Sequence, residues 1–274
     1  FDPDWCARGG AELGPHTVGA FVELHIEQGP VLEAEGLPIA IVTGIPGSRR
    51  HRFARVIGEW NHSGATPRRY RHDAAAALAE LAYRLEQDWI ALEAQGRELV
   101  CTFCVMATTA EAGFTKIAGE AEFKLDVRSV DQEALDLLFA RLHGLVAEIE
   151  ARRGVRFDLG PESAGTPTPM DPALMDGLDD AARFLGIAHR RMPSGGGHDA
   201  SAFAKAGVPS AMLFVRNQNG SHNPDEAMRM AGTCTSRDTP TWPACQVSTN
   251  WRSSEDSSWW LAQCSVTLGL SSVQ

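Results

Sequence analysis

The stretch Glu23-Leu24-His25-Ile26-Glu27-Gln28-Gly29-Pro30 decides how the rest of the chain is interpreted. It ends a short apolar run that begins at Ala20, and its Glu and His residues alternate. On a strand, Glu23, His25 and Glu27 would therefore share one face. Such a row indicates either a polar strand end that faces water or metal ligands at a strand terminus. In the second case the Gly-Pro turn would let a substrate approach the backbone.

Two more clusters with a histidine lie far downstream. They are Ser194-Gly195-Gly196-Gly197-His198-Asp199 and Ser221-His222-Asn223-Pro224-Asp225-Glu226. Each follows a predicted strand, so all three clusters are expected to meet at one edge of an α/β sheet, where ligands usually bind. The glycines before His198 allow close backbone approach and point amides at an anion. Together the clusters predict a hydrolytic metal site.

Composition limits the class of protein. The chain has 274 residues, 43% of them hydrophobic, which suffices for one large domain or two ordinary ones. A net charge of -10 argues against a nucleic acid or an anionic membrane as partner. Without a membrane-length apolar run or a signal-peptide pattern, the expected location is cytoplasmic. Cys101 and Cys104 lie on opposite faces of a predicted strand, so we expect buried free thiols there rather than a metal site.

Periodicity divides the chain into two domains. Residues 49–164 follow the order β-α-β-β-α-β, which predicts a ferredoxin-like α+β unit. Its strands are expected at 53–60, 98–108, 120–128 and 155–159, and its helices at 73–95 and 135–149, the second capped by Ser129 or Asp131. Residues 1–48 and 165–230 would form an α/β domain into which this unit is inserted, with 161–169 as the return linker. In that domain, a helix is expected to begin at Asp171-Pro172 and to stop at Gly186.

The segment 231–274 differs from everything before it. It is rich in Ser and Thr, and it holds half of the six Cys and most of the seven Trp. It shows neither a helical nor a strand period. It is either a specialised module or sequence outside the folding logic of the domain, as a shifted reading frame would be, and we assign it no structure.

Five motifs in one order carry a family resemblance. They are Glu23 to Glu33, His62-Ser63-Gly64-Ala65-Thr66-Pro67, Leu125-Asp126-Val127-Arg128-Ser129, Ser194 to Ala200, and Gly220 to Glu226. Over residues 18–230 the chain resembles the amidase/carbamoylase branch of the M20 metallopeptidase-like family. That branch contains N-carbamoyl-L-amino acid hydrolases, β-ureidopropionases and allantoate amidohydrolases. The resemblance implies a zinc-peptidase-like α/β catalytic domain with an inserted lid that also forms a homodimer.

The resemblance also implies roles for single residues. His25 and His222 would each ligate one of two divalent ions, such as zinc, manganese, cobalt or nickel. His62 would reach the active site of the neighbouring subunit and steady the developing oxyanion. Arg128 would bind the substrate carboxylate, a task suited to a guanidinium. Substrate would also contact the remaining implied positions, which are Gln28, Thr115, Gly196, Gly197 and His198.

The chain departs from the family pattern in two ways. Thr115 stands where the lid usually carries an Asn, which alters the expected substrate. Family members also carry a His ligand, a bridging Asp and adjacent Glu residues upstream of the first motif. The residues before Glu23 do not contain that pattern. The chain begins with Phe1 rather than Met, and we expect it to be processed or a piece of something longer. It would therefore keep only part of the ligand set.

The leading hypothesis is a metal-dependent amidohydrolase of linear C–N bonds. It would convert an N-carbamoyl-L-amino acid or a ureido acid into the amino acid, ammonia and carbon dioxide. One alternative is a catalytically dead remnant that keeps the lid and the dimer surface. Another is an M20-type aminopeptidase, which shares the catalytic domain.

Overall fold

A computed structural model describes residues 4, 7, 8 and 13–228 of the chain. The expectation for residues 231–274 falls outside these residues. The described strands are β1 Phe21–Ile26, β2 Ile39–Val42, β3 Gly44–Ile45, β4 Gly47–Ile57, β5 Asn61–His62, β6 Val100–Thr108, β7 Lys116–Ile117, β8 Glu120–Ser129, β9 Arg156–Asp158, β10 Glu162–Gly165, β11 Thr168–Pro169, β12 His189–Met192 and β13 Ser210–Val215. The α-helices whose two ends both lie in the described residues are α1 Val31–Glu35, α2 Ala74–Glu93, α3 Gln132–Arg153, α4 Pro172–Phe184 and α5 Asp199–Lys205.

The first sheet has four strands in the order β1-β13-β2-β12. Strands β1 and β13 are parallel, β2 is antiparallel to β13, and β12 is parallel to β2. The apolar runs of β2 and β13 pack with α1, α4 and α5 into one core. Its buried members are Leu32, Ala40, Ile41, Val42, Ile45, Met170, Met175, Ala200, Met212 and Phe214.

The second sheet has five strands and is antiparallel throughout. Its order is β10-β4-β8-β6, and β9 pairs with the far end of β4. Along β8, every second side chain from Ala121 to Val127 is buried, as period-2 alternation predicts for a sheet with one covered face. Helices α2 and α3 pack together and cover that face. Its largest fully buried side chains include Phe123, Phe139, Leu81 and Leu142.

Side-chain caps fix where the long helices begin. Asp73, Asp131 and Asp171 have extended backbone and accept hydrogen bonds from the first-turn amides of α2, α3 and α4. Each cap satisfies amides that would otherwise lack a partner. At the other end of α3, Gly154 has a φ of 66°, a left-handed conformation that glycine adopts without steric cost.

The predicted β-α-β-β-α-β order of residues 49–164 matches β4-α2-β6-β8-α3-β9, while the short strands β5, β7 and β10 were not predicted. The boundaries moved by a few residues, most at β4, which begins at Gly47. Asp131, not Ser129, is the N-cap of α3. The division into domains at 48 and 164 stays a prediction.

One expectation was wrong, and another was right only in part. The segment 161–169 is not a plain linker, because residues 162–165 pair with β4 and residues 168–169 pair with β3. The three clusters do meet in one cleft, as expected, but the strands that precede them do not all run in the same direction. Strand β12 runs antiparallel to β1 and β13, so its carboxyl end lies beside their amino ends. The periodicity of single strands does not encode their direction in a mixed sheet.

Among the described helices, none has the length and hydropathy needed to cross a bilayer.

Candidate functional site

A cleft of about 960 Å³ lies between the two sheets. Its walls come from the segments that follow β1, β12 and β13 and from the adjoining ends of β6 and β8. Residues from at least five distant parts of the sequence thus share one cavity. The predicted site residues that line it are Gln28, Arg128, Gly196 and His222, together with Gly195 and Ser221.

Glu23, His25 and His198 form a compact cluster beside this cleft. Each offers a ligand atom, and the three atoms lie within 4.8 Å of one another. Strand β1 supplies Glu23 and His25 on the same face, and residues 193–198 return from the end of β12 to bring His198 to them. The rings of His25 and His198 meet edge to face, with centroids 4.6 Å apart. The described residues form no other group of three His, Cys, Asp or Glu donors this close together.

His25 has the orientation expected of a ligand. Its Nδ1 lies 2.7 Å from the Ile26 carbonyl oxygen. Because a carbonyl can only accept, Nδ1 carries the proton and Nε2 keeps its lone pair. Histidines that bind metals are usually held in this way by a hydrogen bond at the other ring nitrogen.

The other two members of the cluster already have partners. Glu23 Oε2 accepts from the Ala200 amide at 2.8 Å, and Glu23 Oε1 lies 3.6 Å from His198 Nδ1. Burial raises the pKa of Glu23, but the contacts with His198 and the Ala200 amide outweigh it, and the pKa lies below its ordinary value. The carboxylate is therefore ionised near neutral pH, as a ligand or an ion-pair partner requires.

Ser194, His198 and Glu23 follow one another in the order of a serine hydrolase triad. His198 Nε2 is 2.8 Å from Ser194 Oγ. However, Ser194 is only 4% exposed, and its Oγ also contacts the amide and carbonyl of Gly196. The 3.6 Å between His198 and Glu23 is too long for a hydrogen bond. The row is thus a network that orients His198, not an accessible nucleophile.

Glu27 does not join the row predicted for it. Strand β1 ends at Ile26, and the buried Glu27 carboxylate turns to accept from the amides of Val31 and Leu32 at 2.7 and 2.8 Å. It therefore caps α1. A Cβ on Gly29 would lie 2.7 Å from Glu27 Oε1, so the glycine makes room for this cap.

Three residues near the cleft have left-handed backbone although they are not glycine. They are Gln28, Asn219 and His222, with φ between 60° and 63°. The Gln28 amide donates to Asn217 Oδ1 at 3.0 Å, and Gln28 Nε2 donates to Ser221 Oγ at 3.2 Å. The His222 amide donates to Glu226 Oε2 at 3.1 Å. Such bonds hold a conformation that costs about 1 kcal/mol or more per residue.

Arg128 faces the cleft with most of its donors engaged. Its Nε and Nη2 donate to Asp126 Oδ2 at 3.0 and 2.7 Å, and its Nη1 donates to the Gly195 carbonyl at 3.0 Å. Arg50 Nε donates to the other Asp126 oxygen at 2.9 Å. Burial raises the pKa of Asp126, but the hydrogen bonds from the two arginines outweigh it and lower that pKa overall.

His62 and Thr115 lie together, but outside the residues that line the cleft. They belong to the short pair of strands β5 and β7 and its flank, where the Ser63 amide donates to the Thr115 carbonyl at 2.9 Å. His62 Nδ1 accepts from the amides of Gly64 and Ala65, both at 3.0 Å. Nδ1 therefore keeps its lone pair, and the proton of the neutral ring is on Nε2. The motif thus presents an exposed N–H donor.

The expectation of buried thiols at the two described cysteines holds in part for Cys101 and was wrong for Cys104. Both are free thiols, Cys101 partly buried and Cys104 exposed at a register shift of β6. Burial raises the pKa of Cys101 to about 12, which disfavours the thiolate that a metal would need.

Sequence reasoning missed the supports of Arg128. The pattern Leu125-Asp126-Val127-Arg128 puts Asp126 and Arg128 on one face of β8, and this signal was available. The cross-strand neighbour Arg50 was not, because it depends on the register between β4 and β8.

Comparison with known proteins places this chain in a family. The family described as "Peptidase family M20/M25/M40" matches residues 4–234. An N-carbamoyl-L-amino-acid amidohydrolase from Paenarthrobacter aurescens is 37% identical over 221 residues, covering 80% of this chain and 51% of that protein. An allantoate amidohydrolase from Escherichia coli (strain K12) is 34% identical over 218 residues, covering 79% and 52%.

A solved structure agrees with these relatives. The crystal structure of an amidase of the hydantoinase/carbamoylase family from Burkholderia multivorans is 32% identical, with a TM-score of 0.70. The match covers 78% of this chain and 51% of that one. The chain thus spans about half the length of the relatives it matches. The resemblance carried by the five motifs is confirmed, and the chain belongs to the M20/M25/M40 peptidase family, among relatives that are carbamoylases and allantoate amidohydrolases.

Proposed function

We propose that this chain is part of a metal-dependent amidohydrolase that cleaves linear C–N bonds of N-carbamoyl-L-amino acids or related ureido acids. The observation that carries the proposal is the cleft in which Gln28, Arg128, Gly196 and His222 meet. The cleft and the adjacent cluster bring together a guanidinium that could bind a substrate carboxylate, amides that could bind its polar atoms, and imidazoles that lie near a protein carboxylate. These groups suit a small substrate that has a carboxylate at one end and a ureido group at the other.

The donor chemistry at Glu23, His25 and His198 fits one divalent ion. His25 offers a free Nε2, and Glu23 is an ionised carboxylate. Imidazole and carboxylate together suit zinc and manganese. A bound ion of this kind supplies Lewis-acid polarisation and activation of water. The second ion predicted at His222 would need further ligands, since the described residues place no group of three donors there.

The residues of the chain would divide the remaining work. Arg128 would receive the substrate carboxylate through its free N–H groups. The side chain of Gln28 and the backbone of Gly196 and Gly197 would hold the polar atoms of the ureido group. Water would add to the carbamoyl carbon and its C–N bonds would break, which gives the amino acid, ammonia and carbon dioxide.

We further propose that residues 49–164 act as a lid and form a homodimer in the cytoplasm. His62 and Thr115 lie outside the cleft lining, and this separation supports a role in the cleft of a neighbouring subunit. The Nε2–H of His62 is a suitable donor for a developing oxyanion, because Nδ1 is held by the amides of Gly64 and Ala65.

The test uses the full chain after removal of metal and dialysis against Zn²⁺ or Mn²⁺. Metal binding is measured by calorimetry, and turnover is measured on N-carbamoyl-L-alanine, allantoate and a dipeptide. We expect His25→Ala to weaken metal binding about tenfold or more, because a ligand is lost. The matched variant is His143→Ala, in an exposed position on α3, and it should leave metal binding unchanged.

Each outcome separates one alternative. Hydrolysis of N-carbamoyl-L-alanine or allantoate, but not of the dipeptide, supports the proposal. Preference for the dipeptide would instead identify an aminopeptidase. Binding of metal and of N-carbamoyl-L-alanine without any turnover would identify a binding remnant.

A further inference from the structure

Asp126 and Arg128 are two residues apart on β8 and therefore project from the same face of the sheet. This is the face opposite to helices α2 and α3, because the intervening Leu125 and Val127 are buried in the helical core. Arg50 lies directly across from Asp126 in the pairing of β4 with β8. The three charged side chains thus form one connected group, with a carboxylate between two guanidinium ions.

The hydrogen bonds of Arg128 leave a defined set of donors. A guanidinium has five N–H groups. Two of them, on Nε and Nη2, point to Asp126 Oδ2, and one on Nη1 points to the Gly195 carbonyl. One N–H remains on each terminal nitrogen, and Arg128 lines the cleft. These two N–H groups are available to the carboxylate of a ligand.

Asp126 in turn cannot rotate freely. Arg50 Nε holds its Oδ1 at 2.9 Å while Arg128 holds its Oδ2. Because both oxygens are engaged, the plane of the carboxylate is fixed, and the plane of the Arg128 guanidinium follows it. The group carries two positive charges and one negative charge, so one unit of positive charge is left for an anion in the cleft.

We infer that Asp126, anchored by Arg50, is a positioning residue that aims the guanidinium of Arg128 at the carboxylate of the ligand. This inference rests on the proposed function, in which Arg128 receives that carboxylate. Asp126 is not among the residues that line the cleft. Its removal should therefore weaken recognition of the carboxylate and leave recognition of the rest of the ligand unchanged.

The same sheet offers a matched comparison. Arg55 on β4 pairs with Asp158 on β9 at 3.2 Å, also across a sheet register. Neither residue lines the cleft. A change at Asp158 therefore removes an ion pair of the same sheet without affecting the orientation of Arg128.

The experiment measures the affinity of the full chain for two probes by calorimetry. The probes are N-carbamoyl-L-alanine and its carboxamide, which differ only in the carboxylate. We expect Asp126→Asn to weaken binding of the first probe about tenfold, as loss of a charge-assisted bond predicts, and to leave the second unchanged. Asp158→Asn should change neither. Arg50→Gln should have a smaller effect in the same direction, and it serves as the second variant if Asp126→Asn fails to fold.

A second readout does not depend on ligand affinity. The ¹⁵N relaxation of the Arg128 Nε–H group reports how rigidly the side chain is held. We expect an ordered signal in the unmodified chain and increased mobility in Asp126→Asn. Unchanged order would overturn the inference. So would a carboxylate preference that survives Asp126→Asn. Equal binding of both probes by the unmodified chain would overturn the proposed function, and the inference with it.

Discussion

The two sheets use the alternation of side chains for different purposes. In the five-stranded sheet, β8 turns its apolar residues to α2 and α3 and its charged residues to the open face. In the four-stranded sheet, β1 does the reverse. Glu23 and His25 are partly covered, whereas Val22 is 50% and Leu24 39% exposed. In β8 the apolar side chains are buried, as core packing usually requires. In β1 the covered positions are instead occupied by Glu23 and His25, which belong to the candidate site.

The largest effect is expected in the core of the five-stranded sheet. Phe123 is buried between Phe103 and Phe157, with ring centroids 5.8 and 6.4 Å away. Phe123→Ala should lower the free energy of unfolding by about 3–5 kcal/mol, because it removes apolar contacts and leaves a cavity. Urea unfolding would measure the change.

The control for this variant lies on the same sheet. Phe53 on β4 is 70% exposed, so Phe53→Ala should change the free energy of unfolding by about 0.5 kcal/mol or less. A similar loss in both variants would show that burial in this core does not determine its stability.

Helix caps offer a smaller and more selective test. Asp131 caps α3 beside the five-stranded sheet, and Asp171 caps α4 beside the four-stranded sheet. Replacing either by Ala should cost about 1 kcal/mol. Because the two buried clusters are separate, we expect Asp131→Ala to speed hydrogen exchange mainly in α3 and Asp171→Ala mainly in α4. Equal acceleration in both helices would mean that the two regions open together.

The smallest effect concerns a polar residue inside the apolar region. His51 on β4 is buried, it stacks on Phe139 with centroids 5.6 Å apart, and neither ring nitrogen has a partner with hydrogen-bond geometry. Burial lowers its pKa, against the opposing pull of Glu162 on β10 and of the nearby Leu159 backbone; His143 on α3 and Arg49 on β4 lower it further. The unfolded chain therefore takes up the proton first, near pH 6.5.

Stability should follow from that order of protonation. The contribution of neutral His51 is complete above pH 6.5 and is lost progressively as the pH falls from 6.5 toward the lowered native pKa. We expect His51→Leu to unfold less steeply with acid in this range than the unmodified chain. An identical pH dependence of the melting temperature in both proteins would contradict this account.

The two regions also differ in how far the sequence predicts them, because side-chain periodicity reports burial but not turn geometry or strand register. In residues 49–164, period-2 and period-3.6 patterns were strong, and they predicted β4, β6, β8, β9 and both helices, but not β5, β7 or β10. At the site, the histidines were predicted from their clustering with glycine and carboxylates. The capping role of Glu27 and the contact of Arg50 with Asp126 were not, because they depend on turn geometry and on strand register. The direction of β12 was not predicted either, because it depends on how the strand pairs within the sheet and not on its own sequence.

The three left-handed residues beside the cleft have one more consequence. Glycine at position 28 or 222 would relieve the backbone, yet it would delete a side chain that lines the cavity. Selection for thermal stability alone and selection for ligand binding therefore favour opposite changes at these positions. An engineering effort guided by melting temperature alone would therefore remove side chains that line the cleft.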